Sequence, residues 1–393
     1  MKRNPKLLIL LPGSDPFSIC GVGAYTKHLI LRLKEDTHYK IYLICHQGDG
    51  RTLEGIDTFQ VNNPWNHPRN ALRVVNTIKK IRPEIIHLQY TNFSQGVKGL
   101  NFLFFVFLSS YKLFNQQTRI IITLHEQWID QVYGLKRKIL NTMYKYSVVF
   151  FMYKRILFDA CLASTNHRLQ LIKKARPDFK AKLGRIPSNF EDTYQEAKNP
   201  LSIPESIFKK KFILLNIGLP HPYRNYSLIL ESVKKAIERG IALWMVFVGP
   251  ISQSPEKYKE VQDKIKSLGL ESSVLLTGAV DEGEMTFLLN HADAYINICG
   301  RGLQSTSGSQ VAALAKGIPI LSNKSTEDPG YFIHEKNCLT FRKHNPEEIA
   351  LWIEQLARKP EFKNQIGSSG KALYQKDFSW NQQMCIHKEI YQI

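Results

Sequence analysis

The chain has 393 residues, a length that suits two or three domains, and its 43% hydrophobic and 22% charged content excludes a disordered or collagen-like protein. Lys and Arg number 53 against 34 Asp and Glu, so the net charge is +19. The excess sits in one half: residues 1–189 hold 29 basic and 11 acidic side chains, whereas residues 190–393 hold 24 and 23. A bias of +18 against +1 points to an anionic partner for the first half, whether membrane, nucleic acid or anionic substrate.

Taken in chain order, apolar runs alternate with amphipathic segments. KLLILL (6–11), YKIYLIC (39–45), EIIHLQY (84–90), RIIITLH (119–125) and ACLAS (160–164) read as strands buried on both faces of a parallel sheet. Segments 71–81 and 136–158 read as helices between them. The pattern breaks near Pro187, and DTYQEAKNPLSIPES reads as a linker. Alternation then restarts, with strands at 212–218, 242–249, 274–280, 294–299 and 318–323 and helices at 227–238 and 255–268. A last amphipathic helix begins near Ser379 and must bury Trp380, Met384, Ile386 and Tyr391. The βαβαβα order implies α/β architecture with two doubly wound domains. The expected division is 1–189 for the first domain, 190–211 for a linker, 212–375 for the second domain and 376–393 for the terminal helix.

Six dispersed cysteines without a CxxC pair (Cys20, Cys45, Cys161, Cys299, Cys338, Cys385) form neither a zinc pattern nor a disulfide framework and suit a reducing cytosol. No secretory leader is read at the start, where the apolar run is cut short by Pro12 and Gly13. The most apolar stretch, Leu100 to Leu108, falls short of the ~20 residues that span a bilayer.

Three segments carry candidate chemistry. Gly21-Val22-Gly23 follows the first strand and opens a helix, whose N-terminal N–H groups suit phosphate or carboxylate; Thr26 stands where a dinucleotide fingerprint needs its third glycine, so an NAD site is disfavoured. In GLPHPYRN (218–225), Arg224 precedes a helix at the carboxyl edge of a parallel sheet and is suited to fork-like phosphate contacts. In 301–323, Ser305, Thr306, Ser307 and Gly308 crowd a helix N-terminus and make an anion cradle. His125, at the end of a strand in TLHE, is a further candidate. HEQWI lacks the second histidine of a zinc motif, and no metal site is read. Basic residues interleaved with Tyr, Met and Phe over 136–158 suit an anionic bilayer interface. No nucleic-acid recognition motif is found, so nucleic acid is not an expected partner.

With these residues in view, the chain resembles the retaining family-4 type of GT-B glycosyltransferases. GVGAYTKHL, IGLPHPYRNYSLILESV, VLLTGAVDEGEMTFLLNHADAYINIC, AALAKGIPIL and the terminal SW…IY follow the family's signatures in order over nearly the whole length. The resemblance implies two Rossmann-like domains facing a cleft, with the C-terminal helix crossing back to the first. It implies transfer of a sugar from a nucleotide-sugar, a substrate rather than a cofactor, to a glycan or lipid-linked acceptor in cell-surface polysaccharide synthesis, without a metal. Carried over by position, His125 and Arg224 are the catalytic candidates, and Gly21, Gly23, Gln304, Ser307 and Gly308 the donor-binding ones. Three charged family positions are lost: Leu219 replaces an arginine, and Gln304 and Ala312 replace two glutamates. A degenerate protein that binds a glycan or partner without turnover is the competing expectation. The expected location is the cytoplasm, with attachment to the inner face of the cell membrane as an option.

Overall fold

The computed structural model describes residues 5–392 except 18–19, 36–37, 49, 63, 92–101, 126–134, 136–137, 140–141, 144–149, 152–156, 191–196, 200–202, 219–223, 301, 325–329 and 342–344. The chain forms two compact units, Met1–Ile186 with Gln383–Ile393, and Pro187–Gln382.

In the first unit, β1 (Lys6–Leu11), α1 (Gly21–Lys34), β2 (Tyr39–His46), β3 (Asp57–Val61), α2 (Pro68–Ile81), β4 (Ile85–Tyr90), α3 (Phe102–Phe114), β5 (Arg119–Leu124), β6 (Ala160–Ala163), α4 (Asn166–Ala175) and β7 (Lys180–Leu183) follow in order. The strands make one parallel sheet in the order β3-β2-β1-β4-β5-β6-β7. All six residues of β4 are buried, because this strand is central. Ile9, Ile86, Leu88, Ile120 and Ile122 pack with Val74 and Ile78 of α2 and Phe104 and Leu108 of α3. The order reverses between β1 and β4, and ligands of such sheets bind beyond the carboxyl ends of the strands at that point.

The second unit holds α5 (Glu205–Lys210), β8 (Phe212–Ile217), α6 (Tyr226–Glu238), β9 (Leu243–Val248), α7 (Pro255–Ser267), β10 (Val274–Gly278), α8 (Glu282–His291), β11 (Ala294–Asn297), α9 (Gly308–Lys316), β12 (Ile320–Asn323), β13 (Leu339–Phe341), α10 (Pro346–Arg358) and α11 (Pro360–Asp377). Its parallel sheet runs β10-β9-β8-β11-β12-β13, with the reversal between β8 and β11. Two cores lie on its faces. Leu214, Met245 and Phe247 pack with α6 and α10, while Ile213, Leu215, Val246 and Val248 pack with α9. This period-two alternation between two covered faces explains why the strands read as unbroken apolar runs.

Helix ends are set by local chemistry. Asn225 caps α6 by accepting from Leu228 N at 3.0 Å, Asp281 and Glu284 form a capping box on α8, and Gly317 ends α9 in the left-handed region at φ 72°.

Three sequence expectations are revised. The units part at Ile186/Pro187, three residues before the expected boundary. Part of the expected linker folds as α5 within the second unit, with Phe208 stacked edge-on against Phe287 at 5.2 Å. The terminal segment is not one helix from 376: α11 continues to Asp377 and α12 (Trp380–Gln392) starts afresh, its residues from Gln383 onward belonging with the first unit. The stretch read only as too short to span a bilayer is helical α3 from Phe102. Most of the basic–aromatic segment 136–158 lies outside the described residues, as does Leu219. No helix among the described residues is long and apolar enough to cross a membrane.

Candidate functional site

The second unit gathers its polar groups at the carboxyl ends of β8 and β11. Arg224 is held there by its backbone, which bridges Cys299, while Asn225 N donates to Ile298 O at 3.0 Å. Its guanidinium lies over Gly218, where a Cβ would fall 1.8 Å from Nη2. Gly218 has φ 148°, so the sequence places a glycine where both the backbone and the arginine require one. Nη1 donates to Oδ1 of Asn216 at 3.4 Å, and Asn216, itself buried, donates to Ile296 O at 2.6 Å. Burial pushes the Tyr295 phenol up to about 12, and the nearby charge of Arg224 opposes that rise. The hydroxyl of Tyr295 is 2.9 Å from Ser309, which in turn lies 3.3 Å from Ser307. Tyr295 is thereby tied to the start of α9 through Ser309 and Ser307.

The start of α9 is built to accept an anion. Ser307 occupies the N-cap with extended backbone, and its hydroxyl makes no capping bond. Gly308 is exposed, and a Cβ there would meet nothing within 4 Å. N–H groups of a first turn with no acidic side chain, at the positive end of the helix dipole, suit a phosphate. The loop leading to it is fixed by two buried amides. Gln310 Oε1 accepts from Gln304 N at 2.7 Å, and Asn323 accepts from Cys299 N at 3.2 Å and donates to Cys299 O at 2.9 Å. Gly302 (φ 69°) abuts the Asn323 and Lys324 carbonyls at 2.5 Å from its would-be Cβ. Ala312 is fully buried among the core residues beneath α9.

In the first unit, Gly21 and Gly23 open α1 after β1. Gly21 is exposed, whereas Gly23 is buried against the loop before it, a Cβ there falling 2.4 Å from Asp15 O. His125 sits one residue past β5, its N–H donating to Tyr90 O at 3.0 Å. Its ring meets Tyr25 of α1 edge-on at 4.8 Å, which joins the glycine turn to the histidine. Its Nε2 is 2.8 Å from Gln89 Oε1, and its carbonyl accepts from Arg168 at 2.8 Å. Burial, then the charge of Arg168, then His387, lower its pKa to about 3, so the ring is neutral at pH 7. Behind it, His87, Gln89, Thr123, His387 and Tyr391 form a buried polar cluster.

The structure thus brings Arg224, Ser307 and Gly308 to one edge, with Gln304 at the loop, and Gly21, Gly23 and His125 to the corresponding edge of the other unit. Sequence reading overlooked the groups that hold them: Asn216, Gln310 and Asn323 in one, Tyr25, His87 and Gln89 in the other. A signal exists for several, since Asn216 and the His87/Gln89 pair interrupt apolar runs of central strands, where a polar side chain must be satisfied.

Residues 199–373 match the model of the glycosyl transferases group 1 family. That match covers most of the second unit, and the chain as a whole has the GT-B fold. A crystal structure of a glycosyltransferase from Rickettsia africae is similar over 99% of this chain and 98% of its own, at 16% identity and a TM-score of 0.71. Anabaena Alr3699/HepE, crystallised with UDP and glucose, is 15% identical over 99% of this chain and 100% of its own, with a TM-score of 0.69. Sucrose-phosphate synthase from Thermosynechococcus elongatus is 15% identical over 99% and 98%, with a TM-score of 0.71. A search of curated protein sequences finds no match.

Proposed function

We propose that the protein transfers a sugar, with retention and without a metal, from a nucleotide-sugar held by the second unit to a glycan or lipid-linked acceptor bound by the first, in cell-surface polysaccharide synthesis. The observation that carries this reading is the pairing of Arg224 with the open N-terminus of α9 at the β8/β11 switch point, inside the matched family region. Guanidinium and helix N–H groups together suit a diphosphate, and their stabilisation of it as it departs would lower the barrier to transfer. UDP is the proposed nucleotide, because a neighbour of the same fold binds it. His125 of the first unit would face the reacting sugar or the acceptor. The +18 charge of residues 1–189, with Phe102, Leu113 and Phe114 of α3 exposed, supports a position at an anionic membrane surface on the cytoplasmic side.

The test is calorimetric titration with UDP, UDP-glucose and GDP, repeated on Arg224→Ala. Specific UDP binding that weakens at least about tenfold in the variant, a loss of roughly 1.4 kcal/mol, is the expected result. Undiminished binding in Arg224→Ala would sink the phosphate role. The buried Ala312, which offers no carboxylate, favours the non-catalytic reading; nucleotide binding with no sugar released or transferred would support it.

A further inference from the structure

The buried cluster behind His125 can be followed donor by donor. The Gln383 carbonyl only accepts, so Nδ1 of His387, 2.7 Å away, carries the proton. Nε2 of His387 then holds the lone pair and accepts from the Tyr25 hydroxyl at 3.0 Å, which fixes the phenol whose ring edge meets His125. On the other side, the Gln89 side chain turns its Oε1 toward His125 Nε2 at 2.8 Å and its Nε2 toward His87 Nε2 at 3.2 Å. The amide nitrogen only donates, so His87 Nε2 is an acceptor, shared with the Thr123 hydroxyl at 2.7 Å. Nδ1–H of His87 therefore donates to the Tyr391 hydroxyl at 2.7 Å. The amide oxygen of Gln89 only accepts, so His125 must present Nε2–H to it.

Two strands and the terminal helix converge in this way on one imidazole. Tyr391 is tied down further by Arg119, which donates to its carbonyl, and Glu389 pairs with Lys182.

We propose that Gln89, His87 and Tyr391 are positioning residues that hold His125 as its Nε2–H tautomer, so that Nδ1 serves as a hydrogen-bond acceptor for a sugar hydroxyl rather than as a proton donor. The assignment of that hydroxyl rests on the transferase reading above; the tautomer does not. Burial, helped by the charge of Arg168 beside it, keeps the His125 ring from becoming an imidazolium, in agreement with an acceptor role. The terminal helix thus does more than cover apolar surface: its last turn sets the chemistry of a residue at the end of β5.

The experiment is two-bond 1H–15N correlation NMR on the full chain with 15N-histidine, His125 being assigned through His125→Gln. The expected spectrum gives His125 as Nε2–H in the intact protein. In Gln89→Leu both tautomers should populate, and in Tyr391→Phe the His87 resonances should move first. Transfer should fall on the order of ten- to a hundredfold in Gln89→Leu at unchanged UDP affinity, since misorientation and not donor binding is affected. Gln89→Glu keeps the acceptor, so it should keep the Nε2–H form even if the leucine variant fails to fold. A His125 found as Nδ1–H, or a tautomer unmoved by Gln89→Leu, overturns the proposal. Absence of UDP binding with the tautomer as expected would instead fault the transferase reading alone.

Discussion

Two glycines that directly follow the paired strands β8 and β9, Gly218 and Gly249, hold different neighbours. Both have backbone angles that side chains rarely adopt, φ 148° at Gly218 and 138° at Gly249. A Cβ on Gly218 would collide with the tip of Arg224, a flexible group that can swing aside. A Cβ on Gly249 would fall 2.1 Å from the Gly218 carbonyl, which is backbone and cannot. Gly218→Ala should therefore displace the guanidinium from Asn216 and weaken the proposed UDP binding, as is expected of Arg224→Ala, at a stability cost of about 1–3 kcal/mol from the strained backbone. Gly249→Ala carries both strain and overlap and should cost more, roughly 2–5 kcal/mol. Denaturant unfolding and UDP titration of the two variants check the contrast. Equal losses of affinity and stability in both would mean that Gly218 serves packing alone.

At the scale of elements, the loop between β11 and α9 depends on one amide from the neighbouring strand. Asn323, 1% exposed, pairs with both backbone groups of Cys299, and its own carbonyl accepts from Leu303 N at 3.0 Å. Asn323→Leu would leave the Cys299 N–H and C=O without these partners. The Cys299 C=O still accepts from Gly302 N at 3.1 Å, so a loss of about 1–3 kcal/mol is expected, from the N–H left unmet. Faster amide exchange over 299–308 should accompany it; exchange unchanged there would show that the loop is held by other means. The central strands were legible because parallel strands covered on both faces must be apolar throughout, and their observed limits lie within two residues of the reading. The edges of the first sheet were not: DTFQV of β3 and KAKL of β7 are short and partly exposed, so they carry no apolar run. For the site, the glycine turns, Arg224 and the serine-rich start of α9 announce themselves through local pattern. Asn323 and Gln310 do not, because their partners lie across a turn or on another strand, and only the folded register brings them together.

For the whole molecule, the first unit concentrates both positive charge and buried neutral histidines. Burial lowers His28 and His125 to about 3 and His46 and His387 to about 4, with His87 also well below its usual value. In the unfolded chain each titrates near 6.5. Between these native values and 6.5 the unfolded state binds more protons, so stability rises with pH across that window. The contribution is fully present above about 6.5 and is lost as pH falls through the native values. Each such histidine adds a slope of about 1.4 kcal/mol per pH unit, and five of them acting together would exhaust an ordinary domain's stability within about two units. Self-repulsion in a segment with net charge +18 acts in the same direction once further protons are taken up. Acidification from pH 7 to 4.5 should therefore open the first unit, with β4, β5 and the last turns of α12 losing exchange protection together. Hydrogen exchange read by mass spectrometry over that range checks this. Protection retained in β4 and α12 down to pH 4 would mean that the cluster accepts protons in the folded state, and the neutral, hydrogen-bonded assignment of His87, His125 and His387 would fall with it.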